Sequence, residues 1–124
     1  MTLQELYQKI DGDYVQAARV LRMDKLIEKH IRKLISNEVA EPLLQADLAS
    51  MTPTQLFEVA HAVKGVCGNL GLTKLSSLAA EIADEFRPGH TRELSDEEVQ
   101  KRISAFSDLY TRTKEGIKAF EGNA

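Results

Sequence analysis

The sequence predicts an all-α fold, an antiparallel four-helix bundle with short additional N-terminal helices. Two observations carry this. Apolar residues recur three and four positions apart, and nowhere is there the alternation of a half-buried strand. Helix start and stop signals also follow one another closely, leaving only short loops. With 124 residues, 43 % of them hydrophobic, the chain reads as a single domain over 1–124. That size buries a core without metal or disulfide staples.

The elements follow in order. Thr2 with Glu5 three residues later forms a capping box for a first short helix, to about Lys9. Asp11-Gly12-Asp13 breaks it, and residues 14–21 form a second. Asp24 caps a third, on which Leu26, Ile27, Ile31, Leu34 and Ile35 have helical spacing. Pro42 suits the first turn of a brief fourth helix ending near Ala49. Thr52-Pro53-Thr54-Gln55 is the strongest start signal, a cap residue followed by proline at the first helical position and glutamine at the third. That helix runs to about Leu70 and stops at Gly71. The next covers Thr73–Arg87 and ends before Pro88-Gly89. Ser95 with Glu98 caps the last, where Val99, Ile103, Phe106, Tyr110, Thr113, Ile117 and Phe120 keep a 3-4 rhythm that is apolar except at Thr113.

Composition excludes several function classes. The net charge of −3 offers no basic field for nucleic acid. No apolar run approaches the ~18–20 residues that span a bilayer, and MTLQELYQKI lacks the pattern of a secretory signal. The lone Cys67 suits a reducing compartment. The expectation is a cytoplasmic protein, and the initial methionine with its capped first helix favours a free-standing one. No Ser/His/Asp set, glycine-rich phosphate loop or nucleotide motif is visible, so no nucleotide use is expected.

The stretch HAVKGVCGNLG, residues 61–71, places three glycines around one histidine. An interior glycine costs a helix about 1 kcal/mol relative to alanine. On a helical wheel Leu56, Val59, Ala60, Val63, Cys67 and Leu70 cluster as the core side, and His61 points roughly 160° away from it. Gly65 and Gly68 follow on His61's own face, and Lys64 flanks it. An exposed imidazole is a nucleophile at neutral pH. Glycines beside it let another protein's active site approach, and an ammonium one turn away can receive the charge of a phosphoryl group. The simpler reading stays open on these grounds alone: an ordinary surface histidine, a core cysteine and a glycine that ends a helix.

The segment AHAVKGVCGNLGLTKL, residues 60–75, resembles the signature of histidine-containing phosphotransfer (HPt) domains: an alanine-histidine pair, a lysine-glycine pair after two residues, then glycines spaced as Gly68 and Gly71 are. The resemblance covers most of residues 10–120. It implies that His61 carries the phosphoryl group, that Lys64 stabilises it, and that Gly65 and Gly68 give clearance. It implies as partner a receiver domain of a response regulator or hybrid sensor histidine kinase, which supplies an aspartate and the magnesium ion. This chain then binds no cofactor, is no enzyme in itself and acts as a monomer. In some members a glutamine or similar group lies near the imidazole on the following helix; the matching position is near Ala83, which cannot serve.

Phe57 and Glu58 join the docking surface. Phe57 sits about 120° from the core direction, so it either anchors a partner or tucks against a neighbouring helix. A bulky residue at Gly68 is expected to slow transfer and spare the fold. Glu58-Val-Ala-His61 has di-iron spacing, but a second such string is missing, so no metal site is expected. His30 reads as a partly buried structural residue and His90 as a solvated loop residue. A different class of function stays open: an adaptor that binds receivers through the same helix face with no phosphate on His61.

Overall fold

The computed structural model describes residues 1–37 and 39–123. Its helices are α1 (Leu3–Lys9), α2 (Tyr14–Leu21), α3 (Asp24–Asn37), α4 (Glu41–Leu44), α5 (Pro53–Asn69), α6 (Thr73–Glu85) and α7 (Asp96–Asn123). The fold is an all-helical bundle, with no strand among the described residues. Nor is any helix among them long and apolar enough to cross a membrane.

Local chemistry explains most boundaries. Thr2 and Thr52 both close capping boxes with the residue three positions on, Glu5 and Gln55. Such a cap contributes about 1 kcal/mol. Ser95 Oγ accepts from the Glu98 backbone N–H at 3.1 Å and starts α7. At the end of α5, Gly71 takes a φ of +71°. The N–H of Leu72 then donates to the Cys67 carbonyl and that of Gly71 to Gly68, closing a Schellman motif.

Three boundaries differ from the expectation. Asp24 is not a cap but the first residue of α3, and its carboxylate accepts the Tyr14 hydroxyl. α4 stops at Leu44, well short of Ala49. There Asp47 accepts the Ala49 N–H through its side chain at 3.0 Å, offering the backbone a turn in place of another helical bond. α6 ends at Glu85, two residues early, with Phe86 as its cap. The Glu85 side chain turns inward and is only 4 % exposed.

The core is aliphatic with a few aromatics. On α7 the whole 3-4 series from Val99 to Phe120 is buried, Thr113 included. Thr113 keeps its hydroxyl satisfied by donating to the Leu109 carbonyl at 2.8 Å, so one polar residue costs the stripe little. α5 and α6, joined by a three-residue turn, form an antiparallel hairpin with the most extensive helix contact in the chain. α7 packs on α6, α4, α1 and α3.

The two short N-terminal helices clasp one end of this frame. Tyr7, buried on α1, donates its hydroxyl to the Leu70 carbonyl at 2.6 Å. The Asp13 N–H donates to the Gly71 carbonyl at 2.7 Å. A Cβ on Gly71 would stand 2.2 Å from the Asp13 carbonyl oxygen, so only glycine fits both this crossing and the positive φ.

Candidate functional site

α5 carries the site. Its buried side, Leu56, Ala60, Val63 and Cys67, faces the core, and a helix that buries one side must present the other. His61 and Gly65 are exposed, as are Glu58 and Ala62; Phe57, Lys64 and Gly68 are half-buried. Burial pushes the Cys67 thiol up to about 12, so the cysteine is core filling and not a nucleophile.

The two glycines differ. A Cβ at Gly65 meets nothing within 4 Å, which leaves the helix surface beyond the imidazole bare. A Cβ at Gly68 would come within 3.3 Å of Ser76 Oγ on α6. Gly68 therefore serves the close approach of α5 to α6. A side chain there presses on the Ser76 hydroxyl, which has to give by a few tenths of an ångström.

Phe57 has a contact that neither expectation named. Its ring stacks on the His61 imidazole, with centroids 5.3 Å apart and planes inclined by 19°. It also packs against the core, and the Arg87 guanidinium carbon lies 5.7 Å from its centroid.

Arg87 and Asp84 are the site residues that sequence reasoning missed. Arg87 Nη2 donates to Asp84 Oδ1 at 2.5 Å. This bond is the first cause that holds the Asp84 carboxyl below its ordinary range; against slight burial, the charges of Arg87, Lys64 and His90 add to it. Asp84 thus pairs with Arg87 and lies within the field of Lys64 and His90. A signal for both lay in the hairpin itself. Gly68 faces Ser76 and Phe57 faces Arg87, pairs placed symmetrically about Leu72. The same symmetry sets His61 level with Ala83, which is fully buried. The nearest polar groups, Asp84 on α6 and Arg87 just beyond its end, therefore come one and four residues later than that position.

The connection from α6 to α7 is fixed by Glu85. Its carboxylate accepts from Leu94 N–H at 2.8 Å, Glu93 N–H at 3.2 Å and Arg92 Nε at 3.3 Å. Burial raises the carboxyl's pKa, but these donors outweigh it and hold the group below its ordinary value. His90 is exposed in the loop, as expected, with Nε2 3.7 Å from Glu85 Oε1. His30 is half-buried, as expected, and lines an apolar groove with Leu21, Leu34 and Val66. Among the described residues no three His, Cys, Asp or Glu side chains converge as a metal site requires.

Comparison with curated proteins and with solved structures finds no match. A family model described as the Hpt domain matches residues 30–116, from α3 into α7, and so takes in every residue of the site. With more than two thirds of its length matched, the chain belongs to the Hpt domain family, whose members are phosphocarrier modules of two-component signalling rather than kinases.

Proposed function

We propose that His61 is the phosphoacceptor, and that the chain relays a phosphoryl group between it and the aspartates of receiver domains in response regulators or hybrid sensor histidine kinases. The observation that carries this reading is an exposed imidazole on α5 with no side chain one turn beyond it, at Gly65, and a lysine, Lys64, three residues on along the same helix.

The step balances without a nucleotide. The lone pair of one imidazole nitrogen attacks the phosphorus of the receiver's aspartyl phosphate. An N–P bond forms as the P–O bond to the aspartate breaks, and the electron pair leaves with the carboxylate. The proton on the ring's other nitrogen stays in place, so the ring carries positive charge beside the new phosphoryl dianion. Lys64 supplies further positive charge to the phosphoryl oxygens. The receiver brings the aspartate and magnesium, whose charge lowers the barrier at phosphorus; this chain brings the nucleophile and a surface smooth enough for contact. The reverse step returns the group. The protein binds no cofactor of its own and works as a monomer in the cytoplasm.

The test is transfer from a labelled phosphorylated receiver with magnesium to wild type and His61→Ala. Acid-labile, base-stable label on wild type alone supports the relay. Stable receiver binding by both proteins with no label on either would replace it with an adaptor role.

A further inference from the structure

We propose that Phe57 is a positioning residue for the phosphoacceptor: its ring is the platform that fixes the imidazole of His61. The inference rests on the relay reading above, and it gives Phe57 a role other than docking anchor.

Helical side chains lean toward the N-terminus, so His61 leans back over the turn that bears Phe57, four residues earlier. The two rings meet nearly parallel at 5.3 Å, within the range of offset stacking. On the opposite flank Gly65 offers no side chain at all. The opening that admits a partner therefore also removes any support on that side, and along α5 the aromatic face of Phe57 is what holds the ring. An exposed imidazole without it samples several rotamers, whereas attack needs one aligned with the incoming phosphorus.

The platform is itself fixed. Phe57 packs on the core along one part of its surface. Arg87 stands against the ring from the end of α6, held there by Asp84. Cation and ring attract, so α6 restrains Phe57 and, through it, His61. The imidazole is in this way oriented from both helices of the hairpin, although α6 offers at Ala83 no side chain able to hydrogen-bond it.

The experiment compares wild type, Phe57→Leu and Phe57→Tyr. Leucine retains the core contact and loses the stack; tyrosine keeps both. In NMR spectra the His61 ring protons are expected to show an upfield ring-current shift in wild type and in Phe57→Tyr that vanishes in Phe57→Leu. In transfer from a phosphorylated receiver, the rate at saturating receiver should fall about fivefold in Phe57→Leu and recover in Phe57→Tyr. The half-saturating receiver concentration should stay unchanged. A Phe57→Leu effect confined to that concentration would make Phe57 a docking anchor and overturn the proposal, as would an unshifted imidazole in wild type. If leucine disturbs the fold, Phe57→Met repeats the comparison with a flexible filler. The NMR arm requires no phosphate, so a wild type that binds the receiver stably yet accepts no label would refute the relay while the stack is judged separately.

Discussion

The Ser76 hydroxyl donates to the Lys64 carbonyl at 3.0 Å, which bolts α6 to the turn of α5 that holds the site. The same oxygen is the atom that a side chain at position 68 would press against. Ser76→Ala should cost about 1 kcal/mol in denaturant unfolding, the usual net value of one hydrogen bond. Gly68→Gln should destabilise as well as slow transfer, and Ser76→Ala should relieve part of that cost in the double variant. Strict additivity of the two changes would contradict the contact.

Gly65 gives the opposite result. Its side-chain direction is empty space inside a helix, so Gly65→Ala should raise stability by about 1 kcal/mol through helix propensity. Gly65→Gln should keep the fold yet slow transfer by roughly tenfold, because bulk there displaces the incoming receiver. Thermal unfolding and single-turnover transfer together check this trade. A Gly65→Gln protein with normal transfer rates would mean that the bare surface is not a docking feature.

Asp84 should oppose the loaded state. Its carboxylate draws on Arg87 and on the charge of Lys64, and Lys64 is the cation that a phosphoryl group on His61 would need. Asp84→Asn removes that competitor and a nearby negative charge. Phosphohistidine should then persist a few times longer against hydrolysis, at low salt more than at high. An unchanged lifetime at low ionic strength would show that Asp84 does not compete.

Glu85 sets an acid limit on stability. Its folded-state pKa lies below the ordinary value of 4.5. The stabilisation is therefore fully present above 4.5 and is lost as the pH falls from there through the folded-state pKa. Glu85→Gln should remove that part of the acid dependence and cost about 2 kcal/mol at pH 7, since the charge is lost and one acceptor oxygen becomes a donor that faces N–H groups. Unfolding curves from pH 7 down to 3 for both proteins test this; parallel curves would exclude Glu85 as the titrating group.

How much was legible in the sequence depended on whether the cause was local. Thr2, Thr52 and Ser95 announce their helices because a cap needs only residues three apart. His61 and Gly65 could be placed on the outer face because one helix's periodicity suffices. The contact of Gly68 with Ser76 was not legible, since Ser76 belongs to another helix. Asp84 and Arg87 were missed for the same reason: only the register of the hairpin, set by the turn at Gly71, brings Arg87 to Phe57. α4 stopped early through the side chain of one aspartate in the turn that follows, a competition that apolar spacing does not display.

The clasp between Asp13 and Gly71 has a kinetic consequence. Residues 1–29 precede the family match, yet Tyr7 and Asp13 are bonded to the turn from which α5 and α6 diverge. That turn lies ten residues from His61, so opening of the N-terminal helices would leave the carrier helix frayed at its far end. The Asp13 amide, although it sits in a loop, should exchange its hydrogen as slowly as amides in the bundle centre. A protein trimmed to residues 30–116 would then have a looser α5–α6 hairpin.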